Sequence, residues 1–372
     1  MKYKQDVAFI NREKELAYLA NFIDKRPNEI LFLHGPKSSG KTTLLYRFFD
    51  RIQREQRLDI KLVNLREILI VDYKDFLKVF FGIDYGKSKE DVKEIREYDL
   101  KIFKVKVEVL KGLDAGVIDP FSVMKLELQK LNTKNIKPII IIDELQALDH
   151  IYMNGQRELI TELFNFFVAM TKESHLAHVM ISSSDGYFID TIYKDSRLKK
   201  TSSFFKVDYL SKEDVYEWLG NLEEYSQIKD YRLTENDIEK IWDAVGGSMW
   251  EIQKILTDLF SEDVDVALSE YKKLMRGIIF DYAGINKEKK ELFKVIEAKN
   301  IVNLNDFEGT RPYEEGTLEG YLHDMVTNNI LYYDPTGAVF YPQGKSMEWG
   351  LKLFFEGLGE REGAKAQRGL EA

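Results

Sequence analysis

The sequence predicts an α/β chain in three parts: a parallel sheet flanked by helices over 1–206, a helical lid over 207–284 and a winged helix over 285–358, with a frayed tail at 359–372. Three observations predict it. Short, wholly apolar runs such as "ILFLH" and "IIII" alternate with helix-period stripes, as strands buried on both faces of a parallel sheet do. From Leu210 to Phe280 nearly every stretch has helical spacing. After Asn286 helices give way to two aromatic-rich strands joined by Asp334-Pro335-Thr336-Gly337, a hairpin turn.

In chain order, a helix opens after Asn11, read as its N-cap, with Leu16, Leu19, Ala20 and Ile23 on one face, and Pro27-Asn28 break it. Residues 29–34 form a buried strand that runs into a glycine-rich stretch and then a helix to Gln53. Another strand covers 59–65. Residues 101–109 put Phe103, Val105, Val107 and Val109 on one face, which predicts a half-exposed strand in an insertion. A helix over 121–133 leads to the buried strand Ile139–Ile142. An apolar-striped helix over 157–174 leads to a strand over 177–186 that ends in serines. Ser211 and Thr234 each precede an Asp by three residues, a helix-start signal resembling a capping box, and Gly246-Gly247 closes a helix.

Composition narrows the function classes. The 372 residues are 44% hydrophobic and 31% charged, a globular balance. Cysteine is absent, so neither a disulfide framework nor a thiolate zinc site exists. The five histidines show no ligand spacing on one helix face, so no metal beyond Mg²⁺ is expected. A net charge of −9 excludes a global basic field for nucleic acid. With no signal-like opening and no apolar run of about 18 residues, the expected location is cytoplasmic.

Gly35-Pro36-Lys37-Ser38-Ser39-Gly40-Lys41-Thr42 fits G-x-x-x-x-G-K-[ST] in full, between a strand and a helix. Its glycines let successive N–H groups turn inward to phosphate oxygens, and the following helix adds its positive end. Lys41 is read as reaching the β/γ-phosphates and Thr42 as a Mg²⁺ ligand, so the stretch from Gly35 to Thr43 predicts ATP or ADP with Mg²⁺. Ile139–Ile142 push Asp143-Glu144 out at a strand end: Asp143 is expected to hold Mg²⁺ and Glu144 to orient the attacking water. Alone, that acid pair reads equally as a helix start, where acids are favoured anyway. Ser182-Ser183-Ser184 ends the next strand. Ser184 is chosen as γ-phosphate sensor, with serines that merely satisfy their own backbone as the alternative. For a transition-state cation, "KDSRLKK" offers Arg197, Lys199 and Lys200, although such charge runs are usually solvated.

Taken together, these residues resemble the archaeal ATPases of the STAND branch of P-loop ATPases, relatives of the AAA+ and origin-recognition proteins. The resemblance rests on "FINREKEL" (9–16), "GPKSSGKTTLL" (35–45), "IIIIDELQAL" (139–148) and "SSSD" (182–185), and continues through "VDYLSKEDVYEWL" and "VGGSMWEIQKIL" into the winged helix. It implies a RecA/AAA+-like nucleotide domain, ATPase activity, Asn11 and Arg12 near adenine and ribose, and Ser248 brought over the nucleotide by Gly246-Gly247. Two positions depart from the family pattern. Met249-Trp250 stand where a proline is usual, and Lys199-Lys200-Thr201 stand where an arginine tends to follow. Both bear on closure and turnover rather than on phosphate binding.

Residues 285–360 carry 8 Lys and Arg against 13 Asp and Glu, a net −5. The helix "EEGTLEGYLHDMVTNN" has no Lys or Arg, so a phosphate-lined groove repels it. The expectation is therefore a slow ATPase that acts as a nucleotide-dependent switch, its winged helix used for protein contacts or intramolecular clamping. The alternative is a DNA-handling ATPase that uses "LKK" (198–200) or "YKKLMR" (271–276).

Overall fold

The computed structural model describes residues 8–55, 57–83, 103–153, 155–195, 198–284, 286–308 and 315–370. The first part runs α1 (Glu13–Asp24), β1 (Ile30–His34), α2 (Lys41–Ile52), β2 (Leu58–Asn64), α3 (Tyr73–Phe80), β3 (Phe81–Ile83), β4 (Phe103–Val105), α4 (Val107–Asp114), α5 (Pro120–Thr133) and β5 (Lys137–Asp143). It continues with β6 (Tyr152–Met153), β7 (Arg157–Glu158), α6 (Leu159–Val168), β8 (His178–Ser183), α7 (Gly186–Asp195) and β9 (Ser202–Lys206). Five strands form one sheet in the order β2-β5-β8-β1-β9, every neighbouring pair parallel. The isoleucines of β5 show why the run is unbroken. Ile139 and Ile141 pack with Leu19, Leu44 and Phe48 on one face, while Ile140 and Ile142 pack with Met124, Leu128 and Phe164 on the other.

The second part runs α8 (Lys212–Gly220), α9 (Leu222–Tyr225), α10 (Glu235–Val245), α11 (Met249–Asp258) and α12 (Val264–Ala283). The third runs α13 (Lys287–Lys299), a 3-10 turn at Leu304–Phe307, α14 (Glu315–Thr327), the hairpin β10 (Leu331–Asp334) and β11 (Val339–Pro342), and α15 (Lys345–Leu370). These two parts are not separate bodies. One core joins Trp218, Ile241 and Ile252 to Phe293, Leu331 and Phe354.

Both capping boxes form: Ser211 with Asp214 opens α8, and Thr234 with Asp237 opens α10. Gly246 ends α10 at φ 59. A Cβ on Gly247 would stand 2.0 Å from the Leu210 carbonyl oxygen. The backbones meet there, with Leu210 N–H donating to Gly247 O at 3.1 Å. Gly247→Ala is therefore expected to cost about 2–3 kcal/mol, read as a lower midpoint in chemical denaturation.

Several expectations are corrected. Residues 103–105 alone are strand and α4 starts at Val107, because three alternating residues belong to β4 and the next apolar ones already follow a helical stripe; residues 101–102 lie outside the described residues. Asn11 is not the N-cap. Arg12 holds that position, and Asn11 sits at φ 45 with its amide donating to Asp214. The tail read as frayed continues α15 to Leu370, since "EREGAKAQR" is rich in good helix formers and extends a helix already nucleated at Lys345. α7 and β9 carry too weak a local pattern to be read from the sequence. No helix among the described residues is long and apolar enough to cross a membrane.

Candidate active site

Parallel pairing brings the C-terminal ends of β2, β5, β8 and β1 to one edge: Asn64 beside Asp143, Asp143 beside Ser182, and His34 beside Ser183. Open α/β sheets bind ligands at that edge. The loop from Gly35 starts there and leads into α2, whose N-cap Gly40 has φ 89. Gly35 has no substitute, because a Cβ would lie 2.1 Å from the Val207 carbonyl oxygen. Ser38 also takes a left-handed φ of 66, so the loop folds tightly.

Lys41 is buried, and its Nζ donates to Gly35 O (2.8 Å) and Pro36 O (2.9 Å). Burial pulls its pKa down to about 8, against the opposing pull of the Glu144 and Asp143 carboxylates. Thr42 Oγ1 donates to Asp143 Oδ2 at 2.6 Å, while Asp143 Oδ1 is buried without a hydrogen-bond partner. An orphaned carboxylate oxygen beside a threonine hydroxyl is a hard oxygen donor set of the kind Mg²⁺ takes. Thr43 follows on α2, half-buried.

Glu144 is held in a left-handed conformation, φ 60, by its N–H donating to Ser182 O at 2.9 Å. Its carboxylate is buried, which pushes its pKa up, although the Arg66 guanidinium opposes this. Arg66 Nη2 lies 2.9 Å from Glu144 Oε1, and Gln146 donates to the other oxygen. Gln146 Oε1 in turn accepts from Ser183 Oγ at 2.9 Å. The serine drawn into this network is thus Ser183. Ser184 lies one residue past the strand, partly exposed.

Arg12 is buried, with Nη2 donating to Ser39 O and Asp208 O (2.8 Å each) and Nη1 paired with Glu15 (2.7 Å). It braces the phosphate loop against the segment after β9. Ser39 Oγ is buried without a hydrogen-bond partner. Met249, at the start of α11, reaches the loop, its sulfur 3.1 Å from where a Cβ on Gly40 would sit. Ser248 caps α11 by position and is buried.

Lys199 and Lys200 do not reach this edge. They precede β9, which runs parallel to β1, so they stand at the opposite end of the sheet. Arg197 lies outside the described residues. The cation at the acid pair is Arg66, which follows β2. No motif marks it, and only the pairing of β2 with β5 puts it there. His150, without ligand spacing in the sequence, is gathered with Asp149 and Glu158 beside the exposed β6–β7 hairpin, ligand atoms within 4.8 Å of one another.

The hairpin β10–β11 docks beside the loop. His34 Nδ1 and the Tyr332 hydroxyl share a 2.8 Å hydrogen bond, and burial lowers the His34 pKa to about 4, so the ring is neutral. Lys206 pairs with Asp334 (3.3 Å), and the Tyr333 hydroxyl donates to Asp190 (3.1 Å).

Residues 9–255 match the family described as an ATPase domain predominantly from Archaea. The chain belongs to this archaeal P-loop ATPase family. An uncharacterized ATP-binding protein of Methanocaldococcus jannaschii is 32% identical over 354 residues, covering 94% of this chain and 95% of its own. A second from that organism is 30% identical over 357 residues, covering 92% and 98%. Among solved structures, a Walker-type ATPase of Pyrococcus abyssi superposes with a TM-score of 0.63 at 16% identity, over 92% of this chain and 96% of that one, a likeness of fold.

Proposed function

We propose that this archaeal-type ATPase binds ATP with Mg²⁺, hydrolyses it slowly and uses the nucleotide to set the docking of its C-terminal part. That part, 285–358, is read as a winged helix, 207–284 as the lid and 1–206 as the nucleotide domain. The observation that carries the reading is the seat of β10–β11: His34, which Tyr332 holds, directly precedes the first residue of the phosphate loop.

In this reading the loop N–H groups from Gly35 to Thr43 cradle the phosphates and Lys41 spans the β/γ oxygens. Thr42 and Asp143 hold Mg²⁺, which when bound neutralises the developing phosphate charge. Glu144 orients the attacking water and accepts its proton, since phosphoryl transfer needs positioning more than covalent help. Arg66 and Gln146 each hold one Glu144 oxygen, a restraint on the base that supports the reading of slow turnover. In this reading Ser184 senses γ-phosphate next to the Ser183–Gln146 hydrogen bond, and Asn11 and Arg12 lie on the adenine side, where Arg12 braces the loop through Ser39 O. The acid-rich α14, with no Lys or Arg, weighs against duplex DNA as the partner and for a protein or intramolecular contact.

Two measurements on the full chain test this: steady-state phosphate release, and the distance between labels on Arg54→Cys and Thr327→Cys with ATP or ADP. Slow turnover with a distance that depends on the nucleotide is expected. Rapid turnover with one distance in both would refute the switch.

A further inference from the structure

The loop is gripped from outside at one residue, Lys37, on the peptides either side of it. Lys37 O accepts from the Tyr209 hydroxyl at 3.0 Å. The Gln343 amide lies between Lys37 N–H and Leu331 O; the orientation assigned from these neighbours, a donor on one side and an acceptor on the other, turns its oxygen to Lys37 N–H at 2.5 Å and its nitrogen to Leu331 O at 3.2 Å. These partners come from opposite ends of the lid and the C-terminal part. Tyr209 lies in the segment between β9 and α8. Gln343 lies just after β11, its own N–H donating to Ile330 O at 2.9 Å. Gly344 makes the approach possible: it turns the chain into α15 at φ 87, and a Cβ there would crowd the Tyr209 hydroxyl at 3.2 Å. Two residues on, Ser346 donates to buried Glu251 of α11, which also accepts from Tyr271 of α12 at 2.9 Å. The junction that carries Gln343 is therefore tied to the lid rather than loose.

We infer that Gln343 and Tyr209 are positioning residues for the phosphate loop, a latch on the Lys37 backbone that competes with triphosphate and thereby couples loop occupancy to hairpin docking. A phosphate in a glycine-rich loop recruits its N–H groups and its lysine. In this structure Lys41 Nζ is bonded to Gly35 O and Pro36 O, and the next N–H group, of Lys37, faces Gln343. Drawing Lys41 onto phosphate frees the Gly35 and Pro36 carbonyls and turns their peptides; the Pro36 carbonyl shares its peptide with Lys37 N–H, so the hold of Gln343 on that N–H and of Tyr209 on the next carbonyl resists the turn. Coupling of this kind is reciprocal: what weakens the latch tightens nucleotide, and nucleotide loosens the hairpin by the same factor. The inference rests on the reading that the loop takes a triphosphate.

The cysteine-free sequence allows a clean test. In the full chain carrying the R54C/T327C labels, Gln343→Ala and Tyr209→Phe are compared with the parent. The readouts are affinity for a non-hydrolysable ATP analogue with Mg²⁺, inter-label distance with and without it, and thermal midpoint as a folding control. Each variant is expected to bind the analogue about fivefold more tightly, the scale of one net hydrogen bond, and to show the analogue-bound distance already in part without it. Gln343→Glu, which keeps an acceptor for Lys37 N–H, is expected to hold the parent's distance when the analogue is absent. Unchanged affinity and distance in both variants, with the parent still responding, overturn the latch and leave the switch standing. A parent that binds but does not change distance overturns the switch and, with it, the coupling of the latch to hairpin docking. A parent that does not bind the analogue overturns both.

Discussion

Lys41→Ala is expected to weaken ATP binding by about 100-fold or more, because it removes a cation with charge-assisted hydrogen bonds to two phosphate groups. The side chain is buried at the head of α2 with the Gly35 and Pro36 carbonyls as partners, so its ammonium is already partly desolvated. That desolvation has a pH signature. With its pKa drawn down to about 8, the free protein loses the Lys41 charge as pH rises through that value. Affinity for ATP in the parent is therefore expected to be full below about pH 8 and to fall above it, a slope absent from the alanine variant. Titration with fluorescent nucleotide between pH 6.5 and 9.5 measures both effects. An affinity that does not change over that range would contradict the lowered Lys41 pKa, and an alanine variant that binds as tightly as the parent would contradict Lys41 as the phosphate ligand.

Glu144→Gln is expected to lower turnover by about 10²–10⁴-fold, the range for losing a general base, while ATP affinity stays within about twofold. The amide cannot take the proton, but it fills the same volume and the backbone bond to Ser182 O is untouched. Arg66→Ala gives the contrasting result. It frees one Glu144 oxygen, so single-turnover hydrolysis is expected to rise several-fold rather than fall. If Arg66 serves instead as the cation for the transition state, the same variant slows the reaction, so the sign of the change decides between the two roles.

Much of the site is legible in the chain because its chemistry is local. The phosphate loop needs glycines at fixed offsets, a lysine and a hydroxyl within eight residues, and the strand before it and helix after it announce themselves by apolar period. Asp143-Glu144 is legible for the same reason, since four buried isoleucines can only end where polar groups meet solvent at a sheet edge. The capping boxes at Ser211 and Thr234 are equally local.

What the sequence did not determine is which distant groups meet at that edge. Lys199 and Lys200 read as candidate cations by their charge, but the parallel direction of β9 places them at the far end of the sheet, and β2 delivers Arg66 in their stead. The choice of Ser183 over Ser184 for the Gln146 network depends on strand register, which alternates side chains between faces and is fixed by pairing across the sheet. Arg12 under the loop, Met249 against Gly40 and Gln343 on Lys37 depend on how three parts of the chain pack. By itself the sequence determined that this protein carries a phosphate loop and an acid pair on a parallel sheet, because those follow from short-range backbone and apolar patterning. Only the tertiary structure decided what restrains them, because hydrogen bonds between residues hundreds of positions apart leave no periodic trace in the chain.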